Sequence, residues 1–272
     1  MSQEQSLKFV DSHCHLDMLD LNDFDQSMDK VIDQAKAHNV TEMLSISVDL
    51  DSFPRVLATA KDYPNVYASV GLHPCHAPDS MISVDELVKL ADDPDVIAIG
   101  ETGLDYYMND GTCPREEDFE WQKQRFRTHI QAGIATNKPL VIHTRDAKED
   151  TLKILEQENA SQCGAIMHCF VEDIPTAEKA LELGFYISFS GIVTFKNARS
   201  IQEVAAMVPD NRLLIETDSP YLAPVPMRGK KNQPAYVSYI AEFLSELRNC
   251  SVEHIARNTR DNYFRLFNLN SG

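Results

Sequence analysis

VIAIGETG, Val96–Gly103, is a short apolar run that closes on a carboxylate and a glycine. An uninterrupted apolar run of this length reads as a strand covered on both faces, the environment of a parallel sheet flanked by helices. Seven comparable runs lie outward from it: Leu7–Leu16 (LKFVDSHCHL), Glu42–Val48 (EMLSISV), Val66–His73 (VYASVGLH), Leu140–Thr144 (LVIHT), Gly164–Cys169 (GAIMHC), Tyr186–Ser190 (YISFS) and Leu213–Asp218 (LLIETD). Longer amphipathic stretches separate them, and this alternation indicates parallel βαβ units. Eight such units predict an α/β fold, a (β/α)8 TIM-type barrel. The pattern by itself also accommodates a doubly wound sheet.

Three helices are legible between or after the strands. Arg115–Thr136 places Phe119, Gln122, Phe126, Ile130 and Ile134 along one stripe, with acidic residues near its start, where the helix dipole favours them. Ala235–Arg248 and Val252–Phe267 follow near the C-terminus, the second with Ile255, Tyr263 and Phe267 on an apolar side. The chain has 272 residues, 43% of them hydrophobic, close to the roughly 250 residues of a typical barrel. No Gly/Ser-rich linker, low-complexity tract or repeat interrupts it, so a single domain over residues 1–272 is expected.

Six cysteines (Cys14, Cys75, Cys113, Cys163, Cys169, Cys250) include no C-x-x-C pair and are expected as reduced thiols. MSQEQSLKFVDSHCH lacks the basic start and apolar run of a secretory signal, and no stretch approaches the roughly 18 apolar residues of a membrane span. A cytoplasmic protein with no membrane partner is expected. The formal net charge of -17 excludes the global basic footprint of proteins that grip long DNA. Any nucleic-acid activity must therefore rest on local positive charge, chiefly bound metal ions.

Polar residues fall where the apolar runs end: His13 and His15, Glu101, His143, His168 and Asp218. Parallel barrel strands present their C-terminal ends at one face, so these side chains from distant segments converge there. His13 and His15 are two apart on a strand, which turns both imidazoles to the barrel axis and Cys14 outward. Glu101 and Asp218 end apolar strands, where a buried carboxylate is costly without a cation or strong donor; pairing with arginine or capping a helix are the structural alternatives. Four histidines and two carboxylates exceed the ligand set of one catalytic ion and suggest two. His73 in SVGLHP is expected beside the ligands or on substrate, while His38, Glu42, His76, His129 and His254 are background. Arg145, Arg228, Lys230 and Lys231 are candidates for phosphate contacts, with solvated surface charge as the alternative.

With these residues assembled, the chain resembles the TatD-related deoxyribonucleases. The matching segments are DSHCHLD (Asp11–Asp17), GLHP (Gly71–Pro74), IGETGLDYY (Ile99–Tyr107), PLVIHTRDA (Pro139–Ala147), MHCF (Met167–Phe170), ETDSPYLAP (Glu216–Pro224) and RGKKNQPAYV (Arg228–Val237). The resemblance implies a barrel, a divalent-metal site and cleavage of DNA phosphodiesters, with His13, His15, Glu101, His143, His168 and Asp218 as ligands. Thr102 stands where members often have an apolar residue, and Glu172 where they often have glycine. The expected arrangement is one ion on His13, His15 and Asp218, with Glu101 bridging to a second on His143 and His168. The ions are expected to be magnesium, manganese, zinc or similar, with Glu101 and Asp218 carrying the chemistry. The acidic surface predicts preference for short single-stranded DNA or strand ends. The alternatives are hydrolysis of a small ester or amide, or of aminoacyl-tRNA, and a non-catalytic metal-binding protein. The sequence leaves the oligomeric state open.

Overall fold

The computed structural model describes residues 7–76, 80–107, 113 and 119–270. Eight strands, β1 (Phe9–Cys14), β2 (Val40–Ser45), β3 (Val66–Val70), β4 (Val96–Asp105), β5 (Leu140–Arg145), β6 (Ala165–Met167), β7 (Tyr186–Phe189) and β8 (Leu213–Ile215), form one parallel sheet in sequential order. The sheet curls until its first and last strands meet. Asp218 N–H donates to His13 O at 2.9 Å and His15 N–H to Ser219 O at 2.8 Å, while Ser12 Oγ donates to Ile215 O at 3.0 Å. These bonds close a (β/α)8 barrel, as the alternation of apolar runs predicts.

Strand periodicity sorts the apolar residues into two cores. Val10, Leu44, Val141, Ile166 and Leu214 belong to an inner cluster, while their neighbours Phe9, Met43, Leu140, Ala165 and Leu213 pack into the outer one. Helices α1 (Met28–Ala37), α2 (Phe53–Asp62), α3 (Val84–Leu90), α4 (Glu120–Thr136), α5 (Lys148–Gln157), α6 (Ile174–Glu182), α7 (Arg199–Met207) and α8 (Val237–Leu247) contribute to that outer core. The last helix, α9 (Val252–Leu266), packs against β1 and β8 and adds Tyr263 and Phe264 to the inner cluster, with Phe267 just beyond its end. The metal-competent ends of the strands therefore lie opposite an apolar floor.

Two expectations change. The helix expected over Arg115–Thr136 begins at Glu120; Phe119 takes a left-handed φ of 51° and stacks on Tyr106, and residues 114–118 lie outside the described residues. Within α4, Gln122, Phe126 and Ile130 are buried as the stripe requires. The cysteines are not all reduced: Cys75 and Cys113 form a disulfide across 38 residues, and Cys14, Cys163, Cys169 and Cys250 are free. The pair follows β3 and β4, neighbours in the sheet, and only that adjacency brings Cα atoms so distant in sequence to 4.3 Å.

Candidate metal centre at the barrel mouth

The inner-core parity of each strand, continued toward its C-terminal end, delivers the polar residues to the axis. Val141 leads to His143 and Arg145, Ile166 to His168, and Leu214 to Glu216 and Asp218. In β1 the register shifts between Asp11 and Cys14, which moves the inward parity from Val10 to His13 and His15. Cys14 then faces outward, its thiol donating to Leu44 O at 3.4 Å. Close packing at the next strands helps place Glu101: a Cβ on Gly71 would stand 2.5 Å from the Gly100 carbonyl carbon, so only glycine lets these backbones approach.

Glu101 is the centre of the cluster, and its two oxygens face different histidines. Oε1 lies 2.8 Å from His168 Nε2, 3.1 Å from His143 Nδ1 and 3.6 Å from His73 Nε2. Oε2 lies 3.5 Å from His13 Nε2 and 3.9 Å from His15 Nε2. Asp218 Oδ1 stands 3.4 and 3.3 Å from the same two nitrogens. All six expected ligands thus converge, and His73 joins them, its ring nitrogen within 4.8 Å of the ligand atoms of Glu101 and His143, a spacing that could hold one ion.

The donor chemistry fits cations. His13 Nε2 and His15 Nε2 face each other at 3.2 Å, and His168 Nε2 faces His143 Nδ1 at 3.5 Å. Imidazole nitrogens aimed at one another inside a buried cluster need a shared proton or a metal ion between their lone pairs. One half of the cluster (His13, His15, Asp218, Glu101 Oε2) and the other (His143, His168, His73, Glu101 Oε1) offer the mixed nitrogen and oxygen ligation that zinc, manganese and similar ions accept.

Electrostatics follow from the crowding. Burial would raise the Glu101 carboxyl, but His168 and His73 and hydrogen bonds from His13 and His143 hold it well below the ordinary carboxylate range. Asp218 is likewise opposed by burial and brought below its ordinary value by His15 and His13. Burial lowers His168, yet Glu101 and Glu216 outweigh it and hold this imidazole well above its usual value. His73 goes the other way: burial takes it down to about 3 despite the pull of Glu101.

Three carboxylates escaped the sequence reading. Glu216, fully buried, sets Oε1 at 3.2 Å from His168 Nδ1 and accepts from Cys169 N–H at 2.7 Å. Asp105 places Oδ2 at 3.0 Å from His143 Nε2 and has its backbone clamped by the Gln122 amide, at 2.9 and 3.0 Å. Asp11 accepts from Thr217 N–H at 2.8 Å, from Thr217 Oγ1 at 2.5 Å and from His13 N–H at 3.4 Å. Glu216 and Asp11 each lie two residues from an expected ligand, Asp218 and His13, and that spacing is the signal that would have found them. His15 is oriented through Nδ1, 3.3 Å from Ile46 O. His129, background in sequence, is a satisfied core histidine between Leu72 N–H and Arg125 O.

The cluster lines a cavity of about 660 Å³, within the usual range for ligand sites. His73 and Arg145 also line it, and Arg145 is the only Lys or Arg among its described lining residues. Its guanidinium lies 3.7 Å from the Tyr107 ring centroid and 4.0 Å from Asp105 Oδ2. Arg228 and Lys230 are exposed and outside the lining; Arg228 packs over the Phe195 ring at 4.2 Å. Lys231 pairs with Asp20 and Asp23.

The model of a family described as TatD related DNase matches residues 10–268. An uncharacterized metal-dependent hydrolase of Escherichia coli (strain K12), YcfH, is 47% identical over 262 residues, 96% of each chain. A Salmonella typhimurium protein named 3'-5' ssDNA/RNA exonuclease TatD is 32% identical over 252 residues, 90% of this chain and 95% of its own. Among solved structures, YJJV, a TatD homolog from Escherichia coli K12, aligns with a TM-score of 0.85 at 27% identity, covering 97% of this chain and 99% of its own.

Proposed function

The chain belongs to the TatD-related DNase family of metal-dependent hydrolases, and from that premise we propose that it is a deoxyribonuclease, hydrolysing phosphodiesters from the ends of single strands. The observation that carries this reading is the division of Glu101 between two groups of imidazoles, Oε2 toward His13 and His15, Oε1 toward His143 and His168. Glu101 bridges the two halves, and Asp218 completes the first. His73, placed like a ligand of the second, is assigned to that half or to substrate. The exonuclease name of a relative supports a single-stranded substrate.

Divalent cations held there supply Lewis acidity, which activates water and offsets charge on the phosphoryl oxygens. The residues do the rest. Asp218, kept ionised beside His13 and His15, orients the attacking water and takes its proton. Arg145, steadied on Tyr107, donates N–H bonds to a phosphate oxygen at the mouth. Arg228 and Lys230, beyond the cavity, meet phosphates further along the strand.

The test is a time course on an end-labelled single-stranded oligonucleotide with metal-reconstituted protein and its Glu101→Ala/His143→Ala variant. A ladder shortening from one end, lost in the variant, is the expected result and gives the polarity. Intact DNA at full metal occupancy would overturn the nuclease reading in favour of a small ester or aminoacyl ester substrate.

A further inference from the structure

The cavity mouth has two unlike walls. His73, Asp105 and Arg145, from the ends of β3, β4 and β5, make a polar one. Met18, Val171, Ile192, Tyr221 and Leu222, from the segments after β1, β6, β7 and β8, make an apolar one. The second wall is not sealed into the core: Tyr221 is 54% and Val171 37% exposed, two of the few large hydrophobic side chains so exposed among the described residues. Tyr221 is held from beneath, its N–H donating to Asp218 O at 2.9 Å, its ring set edge-on to His15 with centroids 6.1 Å apart. Among the described residues its hydroxyl reaches only the Met18 sulfur, at 3.9 Å.

We propose that this wall is a nucleobase subsite, with Tyr221 as the stacking platform for one unpaired base of the strand whose phosphate lies at the metal cluster. The inference rests on the nuclease reading and adds the substrate group that the apolar wall recognises. A phosphodiester bound between Arg145 and the cluster sends one attached nucleoside away from the polar side, and the surface it meets is aromatic and aliphatic. Such a surface is continuous with the site, and its burial is favourable only under an apolar or π-faced partner. A base offers that face only when it is out of a duplex, where both its faces are already stacked. Stacking on an aromatic ring tolerates every base, so the subsite selects single strands without selecting sequence.

The experiment compares a short oligothymidylate with a base-free chain of the same length, built from abasic deoxyribose phosphates. Both hydrolysis and binding, the latter by fluorescence anisotropy of labelled chains, are measured on the metal-loaded protein. The base-bearing chain should have the lower KM and Kd by about tenfold, the lower part of the range for one stacked base. That ratio should collapse toward one in Tyr221→Ala and persist in Tyr221→Phe. Equal handling of the two chains by the unaltered protein, or a ratio that survives Tyr221→Ala, would overturn the subsite. Base-dependent binding with no cleavage of either chain would sink the nuclease reading and leave the subsite standing.

Discussion

Glu216 shows how much of the centre depends on groups that do not face its middle. Its Oε1 engages His168 Nδ1 at 3.2 Å, which leaves Nε2 of the same ring aimed at Glu101. Asp105 does the equivalent for His143, and the Ile46 carbonyl for His15. Carboxylates behind metal-binding imidazoles fix the tautomer and raise ligand basicity. Glu216→Gln should therefore weaken divalent-cation affinity by roughly 10–100-fold, read by competition with a chromogenic chelator. Unchanged affinity would remove Glu216 from that role. In the sequence this residue was visible as the first acid of ETD, Glu216-Thr217-Asp218, two positions before the second. What sequence could not tell is that Glu216 lies behind His168, on Nδ1, while Asp218 faces the Nε2 atoms of His13 and His15.

Among the elements, strand identity was legible but strand ends were not. All eight apolar runs form strands, yet β6 stops at Met167 and β8 at Ile215, short of the Cys169 and Asp218 at which those runs were expected to end. Past those points the chain turns into the loops that carry the site, and Asp218 takes a left-handed φ of 54°. Hydrophobic patterning records which face is buried, not where the ladder ends. The Cys75–Cys113 disulfide belongs to the same scale, since it ties the segment after β3, with His73, to the segment after β4. Cys75→Ser/Cys113→Ser should lose about 2–4 kcal/mol of unfolding free energy in denaturant titrations without reductant, by releasing a long loop in the unfolded chain. If the double variant and the parent unfold at the same denaturant concentration, the bond contributes no stability.

For the whole molecule, closure of the barrel brings Asp11 on β1 against Thr217 after β8, completely buried, and burial pushes its carboxyl up to about 8 against the hydrogen bonds from Thr217. Unfolded, the same group ionises near about 4. The folded chain therefore holds the extra proton between those values. Stability from Asp11 is fully present below about pH 4 and is lost as pH rises to about 8. Asp11→Asn should flatten this part of the pH–stability curve; parallel curves for the two proteins would contradict it. Composition and the absence among the described residues of a helix able to cross a membrane carry no such information. By itself the sequence determined eight parallel βα units and singled out six polar side chains at their strand ends, because eight buried runs must pair in parallel and their ends must share a face; that the sheet closes into a barrel was decided by the contacts between its first and last strands. Only the tertiary structure decided the rest: the division of Glu101 between two sets of imidazoles, the approach of His73, the carboxylates behind the histidines, the disulfide and the apolar wall at Tyr221. Each joins residues on different strands or loops, and their distances are set by barrel closure and strand register, which local patterning does not encode.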